Sequence, residues 1–549
     1  MAKSIFEELL NLRKLINFIR RTVFYSFLFQ TLYNGQQRDV KFPLMYTSSK
    51  GWINDPNGLV YAEGTYHLFY QNNPYGNTWG NLSWGHATSK DLVRWEDKGV
   101  ALNYNQTTNE MMFSGSAVFD KNNTSGLGSV ENPPIVAIYC AYYSKPTTLA
   151  DGTKIKEGTQ AQSIAYSVDK GNSWKFYENN PVIRQPPKEY DVEYKNFRDP
   201  KVFWYPPHNK WIMVNVVSKL KRALFYWSKN LKNWTYMSTF TSKNSPGEIW
   251  ECPDIFELKI SRNESRWILL ISINPGGVAG GSGMHYYIGH FNGYTFVEDT
   301  IQDGIKWFDF GSDFYAGITW NNVDSGRFII GWINNGDYSA AIHETYKGGL
   351  GFVRELSLKY IDGKIKLIQM PIEHLYKYKK QETIYFMEEV QKGVTITKNK
   401  AYELIIKIND INESGFLFIL KDENKNNELE IQYVDTEKII SIKKRSSNPS
   451  DHGSYVKHTA HFCPEIREEL RILLDSNSLT LFNRLGDIVF TELLLSNAQE
   501  RTFYLAQGSG LRVSVTKSVF SGSNRKILSI EIFTACIFSI VTMMFWGKI

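Results

Sequence analysis

The segment SKDLVRW (residues 89–95) is repeated as SKNLKNW (residues 228–234), and SVDKGNSW (residues 167–174) is a looser third copy. Each copy follows a strand-like apolar run, turns through an Asp or Asn and ends in a Trp. A turn that recurs between strand-length segments is typical of hairpins in a repeated β unit. The repeat therefore favours the blades of a β-propeller.

Outward from these turns, residues 41–365 consist of short apolar segments separated by polar and Gly-containing turns. Examples such as KWIMVNVV (210–217) are rich in β-branched and aromatic residues, which favour strands. No long segment with a helical period intervenes, so an all-β region is predicted. Residues 366–380 are predicted to be a linker or short helix. Alternating segments return over 381–520 and predict a β-sandwich.

Composition argues against several classes of function. The 549 residues carry a formal net charge of +6. Lys and Arg are spread along the chain, whereas a nucleic-acid partner requires a concentrated basic face. The four cysteines show no metal-binding spacing, so a zinc site is not expected. Aromatic residues make up 15% of the chain, which suits stacking on sugars as well as an ordinary core.

Both ends of the chain carry hydrophobic segments. Within residues 1–40, basic residues precede an apolar run at 22–33, which predicts a signal peptide or signal anchor, with a buried helix start as the alternative. Residues 521–549 contain a nearly continuous apolar run at 527–546, which predicts a membrane anchor or a removable lipid-anchor signal rather than a buried strand pair. Together with several N-glycosylation sequons, these ends predict a secreted or membrane-associated protein.

Three acidic residues lie in motifs of the first domain that suit catalysis: Asp55 in WINDPNG, Asp199 in FRDPK and Glu251 in WECPD. Proline and the Asn-Gly pair hold Asp55 on a stiff turn, and Arg198 favours the ionised form of Asp199. Glu251 lies between apolar groups, which suits a proton donor. Each acid also has an ordinary structural interpretation, as an Asx turn, an ion pair or a surface Glu.

Glycoside cleavage needs a proton donor for the leaving oxygen and a second carboxylate, which attacks the anomeric carbon in retaining enzymes. A third acid can bind sugar hydroxyls or stabilise a cationic transition state. Three acids on three separate loops fit this chemistry. On these residues alone, three unrelated turns fit as well.

The motif series changes this balance. The sequence resembles glycoside hydrolase family 32, which includes invertases, inulinases and levanases, over about residues 42–520. The resemblance rests on several motifs in the family's order, namely WINDPNG, FYQNNP, WGNLSWGHATSKDLVRW, FSGSA, FRDPKV, WECPD and DFYAG. It implies a five-bladed β-propeller followed by a β-sandwich, and a reaction without metal or organic cofactor.

Matched by motif, the resemblance implies that Asp55 is the nucleophile, Glu251 the acid/base and Asp199 the transition-state stabiliser. It also implies a fructose pocket lined by seven residues: Asn54, Gln71, Trp79, Phe113, Ser114, Arg198 and Tyr315. The implied reaction is double displacement, in which fructose is released from sucrose or a related β-fructofuranoside.

One segment departs from the family pattern. Gly336 stands where a Trp is common, and residues 340–356 lack the usual Pro-Thr and Trp. One edge of the pocket is therefore expected to differ. The alternatives to sucrose hydrolysis are fructan hydrolysis, fructosyl transfer, a sucrose-phosphate hydrolase and, in another class, a sugar-binding propeller with weak catalysis.

Overall fold

The computed structural model describes residues 44–521, except 300–303, 345, 412–414, 425, 447–454, 465–466, 495 and 497. The two hydrophobic ends, predicted as a signal segment (1–40) and a membrane anchor (521–549), lie outside the described residues apart from Ser521. Within the described ranges, no helix combines the length and the apolar character that crossing a membrane requires.

The described residues of the N-terminal part form five antiparallel sheets, or blades, in chain order. Blade I contains β1 (Trp52–Ala62), β2 (Thr65–Asn73), β3 (Ser83–Ser89) and β4 (Glu96–Leu102). Blade II contains β5 (Glu110–Phe119), β6 (Ile135–Tyr143), β9 (Gln160–Ser167) and β10 (Lys175–Phe176), with the small hairpin β7 (Thr147–Thr148) and β8 (Lys154–Ile155) inserted. Blade III contains β11 (Phe197–Tyr205), β12 (Lys210–Val217), β13 (Arg222–Ser228) and β14 (Thr235–Phe240).

Blades IV and V complete the propeller. Blade IV contains β15 (Ile249–Lys259), β16 (Ser265–Asn274), β17 (Gly283–Phe291) and β18 (Phe296–Glu298), and the short β19 (Lys306–Trp307) also pairs with β17. Blade V contains β20 (Tyr315–Thr319), β21 (Phe328–Trp332), β22 (Arg354–Ile361) and β23 (Lys364–Pro371).

Two six-stranded antiparallel sheets follow. In chain order their strands are β24 (Lys379–Phe386), β25 (Val394–Thr397), β26 (Ala401–Asn409), β27 (Phe416–Asp422), β28 (Asn427–Val434), β29 (Ile439–Arg445), β30 (Tyr455–His461), β31 (Arg467–Leu474), β32 (Ser478–Phe482), β33 (Val489–Leu493), β34 (Glu500–Gln507) and β35 (Arg512–Phe520). The spatial orders are β24-β35-β26-β31-β32-β33 and β25-β34-β27-β28-β29-β30. Facing apolar side chains, such as Leu404 and Phe418, form one shared core, so this part is a β-sandwich.

Helices are short in the described part of the chain. The α-helix α1 (Met387–Lys392) follows β24, and 3-10 helices occupy Lys188–Glu193, Pro206–His208, Ser218–Leu220 and Glu373–Tyr378. The all-β prediction of a five-bladed propeller and a sandwich is thus confirmed. The segment 366–380, predicted as a linker or short helix, differs in part, because residues up to Pro371 continue β23 and pair with β22 in blade V.

The three sequence repeats occupy equivalent places, since each connects the third and fourth strands of blades I, II and III. In blade I, Asp91 Oδ1 accepts the backbone N–H of Arg94 at 2.9 Å. In blade III, Asn230 Oδ1 accepts the N–H of Asn233, also at 2.9 Å. The Asp or Asn is therefore required as a side-chain acceptor that closes the turn.

The first strands of the blades form the innermost ring. Each of β1, β5, β11, β15 and β20 contacts the next, and β20 contacts β1, so the ring is closed. Tyr46 reinforces the closure, because its backbone exchanges two 2.8 Å hydrogen bonds with Leu350 at the end of the propeller sequence. The first residues of the inner strands thereby meet at one end of the central channel.

Candidate active site

The inner strand of every blade departs from regular pairing within its first residues. A register shift leaves one or two residues unpaired, as in a β-bulge, which re-aims side chains. The shifts lie between Ile53 and Pro56, Phe113 and Gly115, Arg198 and Lys201, Glu251 and Asp254, and Tyr315 and Ile318. The three predicted acids are therefore all at bulges of the inner ring.

Backbone conformation at these bulges is unusual. Asp199 has φ 60°, Cys252 has φ 45° and Ala316 has φ 51°. Residues with a Cβ rarely adopt positive φ, and such strain persists where the surrounding structure enforces it. The propeller thus holds this end of the channel in a conformation that isolated strands would avoid.

Asp55 is partly buried and surrounded by donors. Its Oδ2 accepts a hydrogen bond from Ser114 Oγ at 2.7 Å, and the Cys252 thiol lies 3.5 Å from the same oxygen. Asn54 Nδ2 donates to Oδ1 at 3.2 Å. Burial raises the pKa of Asp55, and the Ser114 hydrogen bond opposes that shift. The donors therefore orient the carboxylate and stabilise its charged form.

Asp199 is 6% exposed and lies beside the same cysteine. Its Oδ2 accepts the backbone N–H of Cys252 at 2.9 Å, and Arg198 Nε is 3.9 Å away. Burial raises the pKa of Asp199 to about 7, although the Arg198 charge opposes the shift. The Arg198 charge favours the ionised form of Asp199, as predicted, but burial of the carboxyl has the larger effect on its pKa.

Glu251 is held from two sides. Arg198 donates to Oε1 through Nε at 3.2 Å and through Nη2 at 2.9 Å, and the hydroxyl of Tyr315 donates to Oε2. Burial holds the pKa of Tyr315 well above its usual range, so its hydroxyl remains a donor. The Glu251 side chain is 23% exposed and can meet a ligand that enters the channel.

The seven predicted pocket residues divide into three groups. Asn54, Ser114, Arg198 and Tyr315 contact the acids as described above. Gln71 instead donates to the carbonyl of Met112 at 2.8 Å and supports the start of blade II.

Trp79 and Phe113 form an aromatic group near the acids. Their ring centroids are 5.9 Å apart in an edge-on arrangement, and Phe113 stacks on Tyr142 at 4.7 Å. Trp79 is 55% exposed. An exposed indole offers a flat apolar face, which suits stacking on a sugar ring.

The segment that departs from the family pattern contacts β1, the strand that carries Asp55. The N–H of Ile53 donates to the carbonyl of Lys347 at 2.9 Å, and Trp332 Nε1 donates to the carbonyl of Ile53 at 3.1 Å. A Cβ on Gly348 would lie 1.9 Å from that carbonyl oxygen. Lys347 and Gly348 of this segment therefore brace β1 immediately before Asn54.

Several residues at the site were not predicted. Trp52 donates to Asn54 Oδ1 at 2.9 Å, and Cys252 contacts two of the acids. Both residues stand within the motifs WINDPNG and WECPD, and this position in sequence could have identified them as site residues. Ser218 and Gln160 hold Arg198, at 2.7 and 3.4 Å, from other strands and turns of the propeller. No pattern around these two residues points to a site, because only the fold brings them to Arg198.

Comparisons with known proteins agree with this architecture. The family description "Glycosyl hydrolases family 32 N-terminal domain" matches residues 46–371, and "Glycosyl hydrolases family 32 C terminal" matches residues 372–522. An extracellular exo-inulinase of Aspergillus awamori is 43% identical over 383 residues, which cover 67% of this chain and 70% of the relative. A levanase of Bacillus subtilis (strain 168) is 37% identical over 487 residues, which cover 85% of this chain and 68% of the relative.

Solved structures give the same result. The exo-inulinase of A. awamori superposes with a TM-score of 0.79 at 34% identity and covers 87% of this chain and 97% of the relative. A fructofuranosidase of Schwanniomyces occidentalis complexed with fructose has a TM-score of 0.75 at 28% identity, with 88% and 100% coverage. The two family descriptions together span the described propeller and sandwich, and the chain therefore belongs to glycosyl hydrolases family 32.

Proposed function

We propose that the protein is a retaining β-fructofuranosidase with Asp55 as nucleophile, Glu251 as acid/base and Asp199 as transition-state stabiliser. Its membership of family 32 makes it a glycoside hydrolase of fructosides. The observation that carries the residue roles is the meeting of three carboxylates at bulges of one strand ring, joined by shared donors. Cys252 contacts Asp55 and Asp199, and Arg198 contacts Asp199 and Glu251.

In the first step, a carboxylate oxygen of Asp55 attacks C2 of the fructosyl unit as the bond from C2 to the leaving oxygen breaks. The proton carried by Glu251 passes to that oxygen. Ser114 and Asn54 fix the orientation of Asp55, so the attacking group needs little reorganisation. A fructosyl ester on Asp55 results.

In the second step, Glu251 accepts a proton from water as the water oxygen attacks C2 and releases Asp55. Arg198 and Tyr315 hold Glu251 in place between the two steps. Asp199, once ionised, is suited to bind sugar hydroxyls and to stabilise the positive charge that develops on the ring. No step requires a metal or an organic cofactor.

The proposed substrates are sucrose and inulin- or levan-type fructans. Extracellular exo-inulinases and a levanase among the relatives support a fructan substrate, and a fructofuranosidase among the solved structures supports a small fructoside. The exposed Trp79 supports a bound sugar that extends beyond the three acids. The extracellular relatives also support secretion.

Reducing sugar released from sucrose, inulin and levan tests the proposal. Asp55→Ala and Glu251→Ala should each lose at least about a thousandfold in kcat, by analogy with the loss of catalytic groups in other hydrolases. Asp169→Ala, a turn acid at the third sequence repeat, is the matched control and should retain activity. Activity unchanged in Asp55→Ala or Glu251→Ala would overturn the residue roles. Sugar binding without turnover in the unaltered protein would favour the weakly catalytic sugar-binding alternative.

A further inference from the structure

A loop of the propeller pairs with an edge strand of the sandwich. In sequence it lies just before Tyr315, the residue that donates a hydrogen bond to Glu251. Residues 309–313 precede β20, whose first residue is Tyr315. They lie along β33, an edge strand of its sheet. The N–H of Phe310 donates to the Val489 carbonyl at 2.8 Å, and the N–H of Asp313 donates to the Thr491 carbonyl at 3.0 Å.

The side chains at both ends of this loop extend the same pairing. Asp309 accepts the Thr491 N–H at 2.8 Å and the Thr491 hydroxyl at 2.6 Å. Asp313 Oδ2 accepts the Leu493 N–H at 2.8 Å. Four backbone groups of β33 are thereby satisfied by the propeller, so the loop takes the place of a further strand.

The contact is too close to admit a side chain at its centre. A Cβ on Gly311 would lie 2.2 Å from the backbone oxygen and 2.3 Å from the backbone nitrogen of Thr491. These are backbone atoms of a paired strand and cannot rotate away. The loop can keep its place only if position 311 is glycine.

A buried lysine of the sandwich fixes the end of the loop that is nearest the site. Lys444, on β29, is 3% exposed and donates to Asp313 Oδ2. Its Nζ also lies 3.2 Å from Glu492 and 3.3 Å from the Tyr338 hydroxyl, which itself donates to Asp313 Oδ1. Although burial alone would lower the pKa of Lys444, the Asp313 charge raises it, so the side chain remains a cation.

We propose that Lys444 and strand β33 are positioning elements for catalysis: they fix the 309–313 loop so that Tyr315 reaches Glu251. Asp313 is two residues from Tyr315, and the Tyr315 hydroxyl donates to Glu251 Oε2. The sandwich touches none of the three acids in the contacts described above; it acts through the propeller loop. The inference rests on the proposed role of Glu251.

A double-mutant cycle tests this link. Lys444→Met should lower kcat for sucrose roughly ten- to hundredfold, because a displacement of about 1 Å at a catalytic group costs that much. It should also change the pH–rate profile in the same way as Tyr315→Phe, because both variants disturb the hydrogen bond between Tyr315 and Glu251. In the Tyr315→Phe background, Lys444→Met should change kcat by no more than about twofold.

Arg501→Met is the matched control. Arg501 and Glu428 form another buried ion pair of the sandwich, with 3% and 6% exposed side chains. This variant should lower the melting temperature while kcat and the pH profile stay unchanged. If Lys444→Met does not fold, Gly311→Ala provides the second variant and should show the same dependence on Tyr315.

Two outcomes would overturn the inference. One is an equal loss of kcat in the wild-type and Tyr315→Phe backgrounds; the other is a Lys444→Met variant that behaves like Arg501→Met. Glu251→Gln separates this failure from that of the proposed function. An active Glu251→Gln enzyme would overturn the acid/base role of Glu251. An inactive one would leave that role intact, and only the positioning role of Lys444 and β33 would then be wrong.

Discussion

The backbone N–H of Cys252 donates to Oδ2 of Asp199 at 2.9 Å, while its thiol lies 3.5 Å from Asp55. One residue next to the proposed acid/base thus contacts both other acids. At a φ of 45°, its N–H reaches Asp199 while its thiol reaches Asp55. Burial, followed by the Asp55 charge, raises the pKa of the Cys252 thiol well above its usual range, so it stays protonated.

Cys252→Ala should therefore have a small effect on catalysis. The backbone contact to Asp199 remains, and only a weak thiol donor to Asp55 is lost. Because a thiol is a weak donor and this contact is 3.5 Å long, the lost hydrogen bond should be worth about 1 kcal/mol, and kcat/KM should fall by less than about tenfold. Steady-state kinetics with sucrose check this. A loss as large as that of Asp55→Ala would mean that the thiol takes part in the chemistry.

Asp199 should reduce the stability of the folded protein as pH rises. Its pKa is about 7 in the folded state and 3.8 ordinarily, so the folded state binds the proton more tightly than the unfolded state. Stability should then fall between about pH 4 and pH 7, by up to about 4 kcal/mol from this group alone.

Asp199→Asn removes that dependence. The variant should melt at a higher temperature than the unaltered protein near pH 7.5, with a smaller difference near pH 4.5, while activity is lost. Thermal unfolding monitored at both pH values measures the effect. An Asp199→Asn variant that is less stable than the unaltered protein at the higher pH would contradict the account.

Trp79→Ala should weaken substrate binding without weakening the fold. The side chain is 55% exposed, so its removal should change the free energy of unfolding by less than about 0.5 kcal/mol. Loss of the indole that we propose stacks on the sugar should raise KM several-fold for sucrose or inulin. Phe176→Ala, at an exposed aromatic on β10, is the control and should leave KM unchanged. Equal KM values in both variants would exclude Trp79 from the pocket.

Gly348→Ala should impair catalysis from outside the pocket. An added Cβ would push on the carbonyl of Ile53, the residue before Asn54, so kcat should fall roughly tenfold or more. Gly363 also has positive φ but has open space around it. Gly363→Ala should therefore lose only about 1 kcal/mol of stability, with kcat unchanged. Indistinguishable kinetics in the two variants would show that Gly348 does not brace the site.

The sequence was most informative where local chemistry dictates structure. The Asp or Asn in each repeat closes a turn with its own side chain, so the blades were predictable from SKDLVRW and its copies. Asp55, Asp199 and Glu251 were singled out by the series of family motifs, since the local chemistry of each acid fitted an ordinary turn equally well, and the structure brings the three together.

Contacts that depend on closure of the ring were not predictable. Ser218, Gln160 and Lys444 reach the site or its support only after distant strands meet, and their neighbours in sequence give no signal. Gln71 is predicted in the pocket by motif, and nothing in the sequence indicated that its amide nitrogen also donates to the Met112 carbonyl. The brace from Gly348 to Ile53 likewise joins opposite ends of the propeller sequence.

The most direct test of the central claim is to identify the residue that carries the fructosyl group. A Glu251→Gln enzyme treated with β-fructofuranosyl fluoride, whose leaving group needs no proton, should form the intermediate but hydrolyse it slowly. Peptide mass spectrometry should then find one fructosyl ester, on Asp55. An ester on any other residue, or release of fluoride with no covalent adduct, would contradict Asp55 as the nucleophile.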